Sequence, residues 1–176
     1  MRFVALLIVI VAVGVTGLML RDPDFLPALA PSRAPLAGDV DRIVVEKSAR
    51  RITVFRGDEA LRSYRIALGF TPIGDKLREG DGATPEGVFR IDRRNPASAF
   101  HLSLGIDYPQ PEDVASAQAG GYSPGGDIFI HGQPNRLNGI LTIPYDWTAG
   151  CIAVSDAAME ELWQAVPTGT LVEIRP

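Results

Sequence analysis

One cysteine, two histidines and no run of basic residues limit what this 176-residue chain can do. A single thiol, Cys151, has no intramolecular disulfide partner, so a disulfide-stapled fold is excluded. The thiol is either a buried bystander or a group kept free for chemistry. The histidines, His101 and His131, do not form closely spaced ligand pairs, so a zinc site built from them and Cys151 lacks the usual spacing. No metal and no cofactor is expected, and a G-x-S-x-G serine nucleophile is absent. Acidic residues outnumber basic ones, 21 to 17, for a formal net charge of -4, which leaves no footprint for nucleic acid. No internal repeat or low-complexity tract appears between residues 39 and 176.

With 46% hydrophobic and 22% charged residues, the chain has material for one globular domain and a short appendage. The appendage opens with residues 3–20, Phe3 to Leu20, an uncharged apolar run between Arg2 and Arg21 that is long enough to nearly span a bilayer. A transmembrane signal anchor over residues 1–20 is the favoured reading, with a signal peptide as the alternative. The run exceeds the usual apolar stretch of a signal peptide, and the nearest A-x-A, Ala28-Leu29-Ala30, is followed by Pro31. Either way Arg2 stays cytoplasmic and the remainder is exported, facing the periplasm from the inner membrane. No cysteine follows the run closely, so lipid attachment through a thiol is not expected. Residues 21–38 carry Pro23, Pro27, Pro31 and Pro35, which favour an extended linker over helix or sheet.

The domain, residues 39–176, begins with strand patterns at 42–46, 51–55 and 61–68, the latter two alternating polar and apolar. Further strands are expected at 87–91, 99–106, 127–131 and 169–174. Connections too short for helical crossovers predict largely antiparallel pairing. Residues 71–85, dense in turn formers, read as a surface loop. Met159, Leu162, Trp163 and Val166 recur at helical spacing, with Ser155 or Asp156 as N-cap and Pro167 as terminator. The expected fold is therefore mainly β with one or two helices.

A cysteine attacks carbonyls as thiolate, which its free pKa near 8.5 keeps scarce at neutral pH. A histidine in reach can take the thiol proton and return it to a leaving amine. His131 closes a predicted strand and Cys151 precedes a predicted helix, so the loop between them can bring the two together.

The segment Thr148-Ala149-Gly150-Cys151, the upstream Ile130-His131-Gly132, and Thr84-Pro85-Glu86-Gly87 leading into a strand together resemble the L,D-transpeptidase (YkuD) catalytic domain over about residues 42–176. The resemblance implies a β-sandwich-like domain whose cysteine is acylated by a peptidoglycan stem tetrapeptide. The acyl group then passes to an amine, in cell-wall biogenesis or remodelling, or to water. It assigns Cys151 as nucleophile, His131 as base and acid, and the Gly132 carbonyl as orienter of the imidazole. It also places an oxyanion hole at the amides of Ala149, Gly150 and Cys151. Ala149 and Ala153 depart from the family, which commonly has histidine and a polar residue there. This version resembles a subgroup in which hydrolysis of a link between peptidoglycan and a lipoprotein is known. Transfer, hydrolysis of a stem-peptide or lipoprotein link, and a non-catalytic wall-binding module therefore stand as three readings, the first leading. Expected partners are stem peptides, a peptidoglycan-linked lipoprotein and the membrane. Substrate contacts are expected from His101 on a strand, from Tyr145, Trp147 and Thr148 before the thiol, and from Ala149 and Gly150. Strand hydrogen bonding for His101, loop packing for Tyr145 and Trp147, and a turn hydrogen bond for Thr148 are the structural alternatives.

Overall fold

β-Branched residues alternating with polar ones build the strands, and the computed structural model describes them within residues 2–21, 25–26 and 34–176. In chain order the elements are α1 (Arg2–Arg21), β1 (Arg42–Glu46), β2 (Arg51–Arg56), β3 (Glu59–Arg65), β4 (Gly87–Asn95), β5 (Ser103–Ile106), α2 (Pro111–Gly120), β6 (Phe129–His131), β7 (Ile152–Ala153), α3 (Asp156–Ala165) and β8 (Leu171–Arg175). The strands form one eight-stranded sheet in the order β3-β2-β1-β8-β4-β5-β6-β7.

The nine-residue β4 makes it a single sheet. Its first part, Gly87 to Arg90, pairs with β8, and its second, Ile91 to Asn95, pairs with β5. The register shift between Ile91 and Arg93 bends the strand there, as bulges do. The two edges then meet: Ala67, just past β3, exchanges backbone hydrogen bonds of 2.8 Å in both directions with Ala153 of β7. The result is a half-barrel, not the expected sandwich of two sheets. Two pairings, β1 with β8 and β6 with β7, are parallel; the rest are antiparallel.

Inside the curl lies one apolar cluster, with Ile43, Ile52, Leu68, Ile91, Leu104, Ile130, Ile152 and Val172 from the sheet and Ala158, Met159, Leu162 and Ala165 from α3. The predicted stripe on α3 is thus core, and Trp163 packs against it half-buried. Ser155 caps this helix, its Oγ accepting from the Ala158 amide, so Asp156 is left for another task.

Beside α1, the described residues of the domain hold two α-helices, α2 and α3, within the one or two expected. Of these, α2 buries only Ala117, so it carries no amphipathic stripe to reveal it; Asp113 and Gln110 cap its N-terminus instead. The strand expected at 99–106 shortens to Ser103–Ile106, because His101 takes a left-handed φ of 65° that a strand does not accommodate. Residues 3–20 are helical as part of α1. Among the described residues, however, no helix is long and apolar enough to cross a membrane, the described side chains of α1 being those of residues 7–17. The spanning anchor expected for residues 1–20 is therefore not shown. Of the expected linker, residues 22–24 and 27–33, with the Ala28-Leu29-Ala30 motif, lie outside the described residues, as does Met1. Its two ends touch the domain: the Phe25 carbonyl accepts from the Thr142 amide at 2.9 Å, and Leu36 packs on the core.

Candidate active site

The parallel β6–β7 pair sets the site. Ile130 lies opposite Ile152 and His131 opposite Ala153, so Cys151, immediately before β7, comes beside Phe129. The Phe129 amide approaches Sγ at 3.4 Å, and Sγ lies 3.4 Å from the Asp127 carbonyl. His131, only 3% exposed, places Nδ1 2.7 Å from the Gly132 carbonyl. A carbonyl only accepts, so Nδ1 carries the hydrogen and Nε2 is left with the basic lone pair. The imidazole stacks under Phe100, with centroids 4.7 Å apart and planes at 30°, and meets Trp147 at 5.6 Å and 67°.

The thiol segment is held from behind. Arg50 grips Asp146 through Nε at 2.9 Å and Nη2 at 2.7 Å, and Asp146 accepts the Leu68 amide at 2.8 Å. The Trp147 and Thr148 amides both donate to the Leu68 carbonyl at 3.1 Å. Thr148 Oγ1 donates to the Cys151 carbonyl at 2.7 Å and accepts the Gly150 amide at 3.2 Å. Thr148 thus serves the turn, and of the three amides expected to form an oxyanion hole that of Gly150 is engaged there. Gly150 has φ 134°, and a Cβ there would lie 2.7 Å from the Ala83 carbonyl, so a side chain would push the thiol segment off its neighbour.

Cys151 opens into a cavity of about 360 Å³ lined also by Lys76, Glu79, Gly80, Asp127, Ile128 and Ala149. Residues 71–85 form its far wall and are more than a surface loop. Lys76, 5% exposed, donates to Asp81 at 2.8 Å and to the Arg78 carbonyl at 3.0 Å. Asp81 also accepts the amides of Leu77, Arg78 and Ala83. Burial opposes ionisation of Asp81, but these donors prevail and lower its pKa to about 2. Beneath the wall, buried Lys47 donates to the Thr84 carbonyl and to Glu86, each at 2.9 Å. This gives the Thr84-Pro85-Glu86-Gly87 segment its structural task.

Electrostatics leave both reacting groups neutral at rest. Burial pushes the Cys151 thiol up, with Asp127 adding to this, while the Phe129 amide, Lys76 and Arg93 pull it down. Burial also lowers the His131 pKa, with the Gly132 carbonyl acting the other way. Both shifts disfavour a resting thiolate and imidazolium pair.

Of the expected residues, the structure brings Cys151, His131, Gly132, Trp147, Thr148, Ala149 and Gly150 together around β6 and β7. Among the expected substrate contacts only Ala149 lines the Cys151 cavity; Trp147 packs on the imidazole and Tyr145 is exposed. His101 does not join them. It lines a second cavity, of about 470 Å³, with its Nε2 3.1 Å from Glu160. Sequence reasoning missed Phe100, Lys76, Asp127 and Arg93. The last stacks over Phe129 at 4.5 Å and pairs with Asp127 at 3.0 Å. Only the position of Phe100 beside His101 offered a signal, and it pointed to the wrong residue. Among the described residues, no group of three or more His, Cys, Asp or Glu is placed to hold a metal ion.

Residues 40–174 match the family model of the YkuD L,D-transpeptidase catalytic domain. The chain belongs to this family. YafK of Escherichia coli K12, named an L,D-transpeptidase by inference, is 27% identical over all of this chain and 68% of its own length. The crystal structure of the helical cell shape determining protein Pgp2 of Campylobacter jejuni (K307A mutant) is similar at 27% identity and a TM-score of 0.60. That match covers 80% of this chain and 48% of Pgp2, so the chain spans about half the length of this solved relative. An L,D-transpeptidase of Xylanimonas cellulosilytica, 18% identical with a TM-score of 0.54 over 83% of this chain and 65% of the other, shares the fold. The half-barrel and its buried His–Gly step are thus set in an L,D-transpeptidase domain.

Proposed function

We propose that the protein is a cysteine acyltransferase that forms an acyl-enzyme with a peptidoglycan stem tetrapeptide and passes it to an amine. The observation that carries this reading is the chain's only thiol in a cavity wall, one strand from a buried imidazole whose Nδ1–H is fixed on the Gly132 carbonyl, within a family domain. In the reaction His131 Nε2 takes the Sγ proton as sulfur attacks the substrate carbonyl, forming the C–S bond. The oxyanion meets the amides of Ala149 and Cys151. The imidazolium then protonates the leaving amine as the C–N bond breaks, giving a thioester. An incoming amine gives a proton to His131 as it attacks the thioester, and the C–N bond forms as the C–S bond breaks and the imidazolium returns the proton to sulfur. Lys76 and Arg93 support the transient thiolate, and the Phe129 amide supports it directly.

The proposal extends to the cell envelope. Apolar side chains of α1 are exposed, Leu7, Ile8, Val9, Ile10, Val11 and Val13 by 57–67%, which suits a lipid surround and a domain held at the outer side of the inner membrane. A contribution to cell shape, as the Pgp2 name states for that protein, fits such a placement.

The test incubates the full chain, and its Cys151→Ala variant, with purified sacculi and muropeptides and follows products by mass spectrometry. New cross-links or amine adducts made by the parent alone are expected. Products carrying water in place of the amine, or release of a linked lipoprotein, would turn the reading to hydrolysis. Binding by both proteins without product would replace it with a wall-binding module.

A further inference from the structure

The mechanism above makes a cation of His131 in a place where water hardly reaches. In a serine-type triad a carboxylate offsets that charge; here the hydrogen-bond partner is the neutral Gly132 carbonyl. The charged and titratable groups around the imidazole do not supply the missing charge. Asp156, on α3, is turned to the Gln133 amide at 2.7 Å, and Glu160 to His101. Asp146, in the loop, is held by Arg50; the β5 residue opposite His131 is the neutral Ser103, and on β7 it is Ala153. Cys151 is neutral at rest. The shift of His131 has two causes only, burial and the Gly132 carbonyl.

What does face the ring is Phe100. Its centroid lies 4.7 Å from that of the imidazole, well inside the range at which a cation gains from an aromatic face. The two planes are tilted by 30°, so the imidazole packs obliquely against the Phe100 ring. The placement is built rather than incidental. The Phe100 carbonyl accepts the Gly132 amide at 3.0 Å, tying it to the residue that orients His131. The Phe100 amide donates to Ser98 Oγ at 3.0 Å. Asn135 clamps the segment three times: its side chain accepts the His101 amide at 2.7 Å and donates to the Ser98 carbonyl at 2.9 Å, and its amide donates to the Ala99 carbonyl at 3.0 Å. The left-handed φ of His101 turns the chain so that the Phe100 ring lies over His131. Trp147 packs against both rings, 5.6 Å from each, so that the three rings form a triangle.

We propose that Phe100 is a positioning residue that stabilises the imidazolium form of His131 through its ring face, standing in for the carboxylate this site lacks. The inference rests on the proposed proton transfer at Cys151. It makes a prediction of sign, because Phe100 also covers His131 from solvent. A cover alone depresses the basicity of the ring beneath it; a π-face raises it. Leucine keeps most of the apolar cover and removes the π-face, whereas tyrosine keeps both.

The experiment uses the full chain in detergent micelles with ¹³C-labelled histidine, whose two residues are assigned by a His101→Gln variant. In a Cys151→Ala background, Phe100→Leu is expected to lower the His131 titration midpoint by about half a pH unit or more, and Phe100→Tyr to restore it. With Cys151 present, thioester formation with a carbapenem on the pH plateau should slow by about three- to thirtyfold in Phe100→Leu and recover in Phe100→Tyr. Phe100→Met provides the same comparison should the leucine variant not fold. A midpoint that stays put or rises in Phe100→Leu would overturn the proposal and leave Phe100 as a cover. The titration needs no substrate. Muropeptide turnover with an unmoved midpoint removes this inference alone, while a lowered midpoint without turnover removes the proposed function alone.

Discussion

Two cavities border β6 and its following residue, and their polar atoms are used in opposite ways. In the one against Gly132, the polar groups answer one another: His101 with Glu160, Asp156 with the Gln133 amide, Asn135 with the backbone of residues 98–101. In the one at Cys151, the wall is pinned by the Lys76–Asp81 pair, and the thiol is under opposing influences with no strong partner of its own. The proposed chemistry thus falls to the smaller cavity, with the group left uncommitted. A polar cavity whose members are mutually satisfied resists movement; a thiol held only by weak 3.4 Å contacts is free to react.

Substitutions that break this contrast should fall into a clear order. The largest effect is expected from His131→Ala, which removes the base: carbapenem acylation of Cys151, followed by mass spectrometry, should slow by about 10² to 10⁴-fold. Next comes Asp146→Ala, which touches neither reacting atom but frees the thiol segment from Arg50 and Leu68. A loss of about ten- to hundredfold in the same assay is expected, since displacement of about 1 Å can cost that much. A fully active variant would show that the Thr148 turn suffices alone.

A smaller, pH-dependent effect belongs to Asp81. Its folded pKa lies below the ordinary carboxylate value, so its contribution to stability is present above about pH 4 and is lost as pH falls toward about 2. Urea unfolding of Asp81→Asn should therefore show a deficit against the parent at pH 7 that narrows as the pH is lowered from 4 to 2.5. A deficit constant with pH would assign the loss to packing instead. The smallest effect is expected from His101→Gln: acylation within about twofold of the parent, and stability within about 1 kcal/mol, because its hydrogen bond with Glu160 is partly open to solvent. A loss near that of His131→Ala would erase the distinction between the cavities.

Much of the scaffold was readable in the chain. β1 and β2 followed from β-branched runs, and α3 from the Met159–Leu162–Trp163–Val166 stripe with its Ser155 cap. What escaped was set at a distance. The two-residue β7 is too short to leave a pattern, and it exists because Ile130 and Ala67 flank it in space. Parallel pairing of β1 with β8 joins residues about as far apart as the domain allows, which no local period encodes. In the site, His131, Gly132 and Cys151 were legible as a motif. His101 lies apart from them, in the other cavity, its own left-handed φ ending the strand expected there. Lys76 was invisible, and Phe100 was marked only by standing next to His101, because their importance comes from what lies opposite them.

The neighbour relation between β1 and β8 has a consequence for how the protein comes into being. In the strand order the β3-β2-β1 meander continues into the rest of the sheet through β8, which lies between β1 and β4 and follows every other strand in chain order. An emerging polypeptide can form the β1–β3 meander early, but β8 has to arrive before the sheet is continuous from β3 to β7. The pairing of such distant segments is a slow, late event in assembly. Pairing of β8 is therefore the step that joins the β1–β3 meander to the strands that hold His131 and Cys151 in place.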